Sequence, residues 1–198
     1  LIASLTKVKP DIFGVSAMSA PCRSLRHGSC AGIVRAGLED ALDLSVAIIA
    51  LDEEDDLPGC LASVGFADEI VLVDSGSRDA TASIAERAGA RVFERPFDDF
   101  SSQKQFACDS TTCDWILVLD ADERVSPGFG EAFSEALSSG EAAAYRIERR
   151  TSYLGRVLRF GPWSSDRPLR LFRRGSASFG AETVHESLRA DCPAPVLR

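Results

Sequence analysis

Three stretches of the chain are apolar without alternation: Leu44-Ser-Val-Ala-Ile-Ile-Ala50, Glu69-Ile-Val-Leu-Val73 and Trp115-Ile-Leu-Val-Leu119. Continuous runs of this kind suit strands covered on both faces, as in a parallel sheet. Helical patterns lie between and after them. Residues 53 to about 64 place Leu57, Leu61 and Val64 at helical spacing. Residues 79–88 are rich in Ala, with Ser77 or Asp79 as an N-cap and Gly89 as a stop. Residues 91–94 read as a short strand, and 101–109 and 126–138 as two further helices. Strand–helix alternation predicts right-handed βαβ units and an α/β domain built on a mostly parallel sheet flanked by helices.

After about residue 142 the texture changes. Residues 145–148 and 170–173 read as strands of a smaller mixed or antiparallel part, with turns at Gly155, Gly161-Pro162 and Gly175. Residues 1–43 show no sustained period of either kind. They are expected to be a weakly structured leader, with the domain running from 44 to 198.

A length of 198 residues allows one domain with a full core. The formal charge of −8 argues against nonspecific nucleic-acid binding. The six cysteines are irregularly spaced and contain no Cys-x-x-Cys pair, which suits reduced thiols in a cytoplasmic protein. No apolar run approaches the roughly 20 residues of a membrane span. Lys7, Lys9, Pro10 and Asp11 interrupt the start of the chain and argue against a secretory signal. A chain that opens on Leu1 and stops at Arg198 is expected to be a piece of a longer protein, or a reading frame with an added front end.

The candidate chemistry lies where the strands end. The three apolar runs lead directly into Asp52-Glu53, Asp74-Ser75 and Asp120-Ala121-Asp122. In an open parallel sheet the ligand crevice lies outside the carboxyl ends of the strands, so three acidic ends are expected on one rim. Each Asp alone serves equally well as a helix cap. The doubled Asp120-x-Asp122 carries more information. In extended backbone its side chains point the same way and offer oxygens to one hard cation, Mg²⁺ or Mn²⁺. Such an ion reverses the repulsion between carboxylates and a diphosphate and stabilises a departing one. Asp74 suits hydrogen bonds from a base or ribose. No Gly-x-Gly-x-x-Gly and no Walker loop is present, which argues against a nicotinamide site and a P-loop ATPase.

Together, Ser45-Val-Ala-Ile-Ile-Ala-Leu-Asp-Glu-Glu54, the Ala67 to Thr81 stretch with Val73-Asp-Ser-Gly-Ser-Arg-Asp79, and Asp114-Trp-Ile-Leu-Val-Leu-Asp-Ala-Asp-Glu-Arg124 resemble the opening motifs of family-2 glycosyltransferases. Gln103-Lys104, Arg170-Leu-Phe-Arg-Arg174 and Val184-His-Glu186 resemble its lipopolysaccharide-core glucosyltransferase subgroup. The resemblance covers about residues 44–188. It implies a GT-A (Rossmann-like) fold and an inverting transfer of a sugar from a nucleotide-sugar donor, a UDP-hexose, to a saccharide or glycolipid acceptor in envelope glycan synthesis. It implies that Ala50, Asp52, Glu54 and Asp74 hold base and ribose, that Lys104 lies near the nucleotide, and that Asp120 and Asp122 hold metal and diphosphate. His185 matches a late histidine that helps bind metal or diphosphate, with a structural imidazole as the other use. The family usually has Asn where this chain has Asp52, and it usually continues beyond Arg198, often into membrane-associated helices.

Inversion needs one base for the acceptor proton. Asp166, in Gly-Pro-Trp-Ser-Ser-Asp-Arg, is the first candidate, with an ion pair to Arg167 or Arg170 as its competing use; Glu186 is the second. Nine arginines between Arg146 and Arg174 suit an anionic acceptor, an anionic membrane face with peripheral placement at the inner membrane, or equally a solvated strand surface. Phe160 and Trp163 suit stacking on a sugar or core packing. The competing functions are a nucleotidyltransferase, which would carry a Gly-rich, basic phosphate loop after the first strand, and a non-catalytic nucleotide-sugar-binding module.

Overall fold

The computed structural model describes residues 4–9, 42–140, 142–153, 156–157, 166–180 and 188–197. In chain order the elements are β1 (Ser4–Lys9), β2 (Leu44–Ala50), α1 (Leu57–Ser63), β3 (Glu69–Asp74), α2 (Thr81–Arg87), β4 (Arg91–Glu94), α3 (Phe100–Asp109), β5 (Trp115–Asp120), β6 (Glu123–Val125), α4 (Phe129–Ser139), β7 (Ala144–Arg146), β8 (Glu148–Tyr153), β9 (Arg156–Val157), β10 (Leu169–Arg173), β11 (Ala177–Phe179) and β12 (Leu188–Ala190).

The central sheet has six strands in the order β4-β3-β2-β5-β10-β7. Its first four strands run parallel, and β10 and β7 extend it antiparallel beyond β5. The parallel half is the set of apolar runs, and the reason is visible in β2. Leu44, Val46 and Ile48 pack on one face with Leu57 and Leu61 of α1 and with Phe129 and Phe133 of α4. Ala47 packs on the other face with Ala107 and Cys108 of α3. A strand buried on both sides needs apolar residues at every position. Each such Val, Ile or Leu contributes about 1.5–3 kcal/mol relative to exposure.

Three elements differ from the sequence expectation. α1 begins at Leu57 rather than near residue 53, because residues 54–56 form a turn and Pro58 occupies the first helical turn, where its missing N–H costs nothing. α4 begins at Phe129 after Gly128, which adopts φ 84, a left-handed conformation that favours glycine. The strand expected over 145–148 divides between β7 in the central sheet and β8 in a second sheet, ordered β6-β1-β8-β9.

That second sheet takes in part of the segment that precedes residue 44. Residues Ser4–Lys9 form a strand, pairing antiparallel with β6 and parallel with β8. Residues 10–41 lie outside the described residues, as do Gly155, Phe160, the Gly161-Pro162 turn and Trp163. Among the described residues no helix is long and apolar enough to cross a membrane.

Candidate functional site

The registers of the parallel half align the strand ends. Ala50 of β2 lies opposite Asp74 of β3, and Ile49 lies opposite Asp120 of β5. The three ends thus share one rim of the sheet. A cavity of about 450 Å³ opens there, and Ala50, Ser75, Lys104, Asp120 and Asp122 line it together with Phe97 and Phe100.

The carboxylates at the rim divide into two groups. Asp52, Glu54 and Asp74 are engaged by the segment after β3. Asp52 adopts φ 52, its amide donates to Ser77 Oγ at 2.9 Å, and its Oδ1 accepts from the Arg78 amide at 2.7 Å. Glu54 Oε2 accepts from the Ala80 amide at 2.9 Å. Asp74 is buried and accepts from the amide and hydroxyl of Ser77. Asp52 and Glu54 tie the segment after β2 to residues 77–80, Asp74 ties the end of β3 to Ser77, and none of the three lines the cavity. Ser75, the neighbour of Asp74, does.

Asp120 and Asp122 form the second group. They are not an extended pair, because β5 ends at Asp120 and residues 121–122 are a turn before β6. Both still line the same cavity. The turn is held by the Asp120 amide, which donates to Glu123 Oε2 at 3.1 Å. Asp120 Oδ1 lies 2.7 Å from Lys104 Nζ, and its Oδ2 accepts from Arg170 at 3.2 Å.

Helix α3 delivers Lys104. Asp99 caps it by accepting from the Ser102 amide at 2.8 Å and the Ser102 hydroxyl at 2.6 Å. Gln103, fully buried, donates to Ser75 Oγ at 3.1 Å and to the Arg95 carbonyl at 3.0 Å. One helix therefore holds the end of β3 through Gln103 and the end of β5 through Lys104.

Glu123 is the site residue that the sequence does not disclose. Its side chain is fully buried, and its Oε1 accepts from Arg170 at 3.0 Å and from Arg149 at 3.4 Å. Arg149 in turn pairs with Asp166, and the backbones of these two residues bridge, the Arg149 amide donating to the Asp166 carbonyl at 2.8 Å. The partner of Asp166 is thus Arg149, not Arg167 or Arg170. Asp166 lines a second cavity, of about 760 Å³, which shares Lys104 with the first and also contains Arg149 and Arg170.

Cys60 lies under this network, its Sγ 3.8 Å from the Asp120 carbonyl. Burial and then the nearby Glu123 and Asp122 carboxylates push its thiol far up, so it is a core thiol rather than a nucleophile. Cys60, Cys108, Cys113 and Cys192 are all free, in line with reduced cysteines. His185 and Glu186 lie outside the described residues. Among the described residues no group of three or more His, Cys, Asp and Glu is arranged to hold a metal ion. Beside Glu53, the described carboxylates that line the first cavity are Asp120 and Asp122. Mg²⁺ is commonly held by one or two carboxylates and completed by substrate phosphates and water, so this pair fits such an ion when a diphosphate is present.

The family model for glycosyl transferase family 2 matches residues 45–185, a span that takes in the parallel strands from Ser45 onward, the three acidic strand ends and Asp166. The chain belongs to glycosyl transferase family 2. Among relatives, it is 41% identical to a TPR repeat-containing protein of Synechococcus elongatus over 66% of this chain and 31% of that one. It is 36% identical to the lipopolysaccharide core biosynthesis glycosyltransferase LpsC of Rhizobium meliloti over 74% of this chain and 57% of LpsC. The chain thus spans about a third of one relative and just over half of the other. Among solved structures, TarS of S. aureus (residues 1–349, in complex with UDP) superposes with a TM-score of 0.51 at 18% identity, covering 58% of this chain and 37% of that one. That likeness concerns the fold. The family-2 chain has the GT-A arrangement, a mostly parallel sheet flanked by helices with an antiparallel extension.

Proposed function

We propose that this family-2 domain is the donor-binding part of a metal-dependent, inverting glycosyltransferase that uses a UDP-hexose. The observation that carries the reading is the meeting of Asp120, Asp122 and Lys104 in one cavity at the carboxyl ends of the parallel strands. Ala50 and Ser75 form the wall toward base and ribose, and Asp52, Glu54 and Asp74 shape that wall by fixing residues 77–80. Lys104 and Arg170 already hold Asp120 from two sides, and both cations are placed to share a diphosphate's charge. Asp120 and Asp122 would hold Mg²⁺ or Mn²⁺, with His185 as a candidate third ligand. The ion would supply charge stabilisation to the leaving diphosphate.

Asp166 faces the neighbouring cavity and is the proposed base for the acceptor hydroxyl, with Glu186 as the second candidate. The kinship with LpsC supports a saccharide or lipid-linked saccharide acceptor, in lipopolysaccharide or other envelope glycan synthesis at the cytoplasmic side of the membrane. The domain proper is proposed to run from 44 to 198, with β1 as a strand added from the preceding segment. Limited proteolysis should leave a resistant fragment beginning near Leu44; protection of the whole preceding segment would move the boundary.

The test of the main reading is Asp122→Ala. Calorimetry should show that Mn²⁺-dependent UDP binding is lost while circular dichroism is unchanged. An unaltered UDP affinity removes Asp122 from the metal role.

A further inference from the structure

We infer that the second cavity binds the anionic group, a phosphate or a carboxylate, of a charged saccharide acceptor. This rests on the transferase reading and names the substrate class of its acceptor side. Lys104, Arg146, Arg149, Arg170 and Arg189 line the cavity, and among the described residues Asp166 is the one carboxylate in its lining. That lining is cationic in a chain whose net charge is −8. Lys104, Arg149 and Arg170 are engaged with Asp120, Glu123 and Asp166, which hold them in place. Arg146 differs from them. Its guanidinium donates to the Arg167 carbonyl at 3.1 Å, a neutral acceptor that leaves its charge in the cavity, and among the described residues it pairs with no carboxylate.

The wall opposite the central sheet is fixed as well. β11 and β12 pair antiparallel, which sets Arg189 opposite Ser178, and the Phe179 amide donates to Gln105 Oε1 of α3 at 3.0 Å. The helix that carries Lys104 therefore also anchors the strand pair that carries Arg189. Planar guanidinium groups in a rigid recess match the paired oxygens of phosphate or carboxylate. A recess of about 760 Å³ has the dimensions of a small-molecule site, whereas a membrane surface would be met by a convex or flat array.

The position also fits the chemistry. Asp166 lies in the same recess, and Lys104 is common to both cavities. An acceptor anchored by its anion would lie with a hydroxyl near Asp166 and face the donor across Lys104.

The experiment uses the full chain and titrates glucose 6-phosphate, glucuronate and glucose, with Mn²⁺ and UDP as a separate titration. The wild type should bind at least one of the charged sugars about tenfold more tightly than glucose, with the advantage falling as salt is raised. Whichever of the phosphate and carboxylate sugars binds better identifies the anion. Arg146 and Arg189 are both exposed, so the double variant Arg146→Gln/Arg189→Gln should fold. It should lose about tenfold in charged-sugar affinity while its UDP affinity is unchanged. Arg146→Gln alone should show an intermediate loss.

Equal binding of the three sugars, no binding of any, or an unaffected double variant overturns the inference. So does one-for-one displacement of the charged sugar by UDP, which would place the anion in the donor site. Capture by phosphatidylglycerol vesicles that the double variant loses, without preference among the sugars, assigns the arginines to a membrane and overturns it too. If charged-sugar preference holds while UDP fails to bind, the transferase reading falls and the anion site stands.

Discussion

Asp166 and Asp120, 46 positions apart in sequence, are joined by an unbroken chain of ion pairs through Arg149, Glu123 and Arg170. The carboxylate proposed as the base and the carboxylate proposed to face the diphosphate are therefore fixed relative to each other by side chains, across the boundary between the parallel and antiparallel strands. Asp166→Asn keeps the shape and removes the proton acceptor. Transfer should fall by roughly 10²-fold or more, the usual contribution of a general base, while UDP binding persists. Transfer at the wild-type rate would end the assignment and make Glu186 the leading candidate.

The middle of that chain is a stability prediction. Glu123 is fully buried and accepts from two arginines and from the Asp120 amide. Glu123→Gln removes one of the two carboxylates that hold the buried guanidinium of Arg170 and leaves Asp120 as the other, so the cost is that of weakened charged hydrogen bonds, about 1.5–3 kcal/mol, rather than that of an unpaired buried charge. Urea unfolding should show a loss of that order, while UDP affinity changes little because Lys104 and Arg170 still hold the Asp120 carboxylate. A variant as stable as the wild type would show that solvent reaches the network.

The cap of α3 gives a pH dependence with a definite sign. The Ser102 hydroxyl, and then its amide, hold the Asp99 carboxyl below the ordinary carboxylate range. A group whose folded pKa is depressed stabilises fully above its unfolded value, about 3.9 for Asp, and loses that contribution as pH falls through the folded value. Asp99→Ala should therefore lower the urea midpoint at neutral pH, and the gap from wild type should close as pH falls below about 4. A gap that stays constant into acid would show that the loss is not electrostatic.

The parallel half of the fold was legible because its strands are buried on both faces, and that requirement reaches most residues of β2, β3 and β5. The rim was legible for the same reason, since carboxylates placed directly after such runs must lie at the sheet's edge. Glu123 was not legible. It follows Asp122 as one more acid, and its burial depends on Arg149 and Arg170, which are 26 and 47 positions away. The turn at residues 121–122 was hidden too, since nothing in Asp-Ala-Asp distinguishes an extended pair from a turn closed by the following Glu. β1 escaped notice because its order comes from ladder partners in β6 and β8, more than 110 positions later, and not from a periodic pattern of its own.

Asp52 carries a consequence for reading substitutions at its position. With φ 52 its backbone is left-handed, a conformation that Asn and Asp tolerate better than other residues with a side chain. Its side chain must also accept from the Arg78 amide, which the carbonyl oxygen of Asn can do as well as a carboxylate. The exchange of Asn for Asp here is therefore neutral to the backbone. The alphabet allowed at residue 52 reports the shape of a turn and not a contact in the cavity, which Ser75, Phe97 and Phe100 line and Asp52 does not.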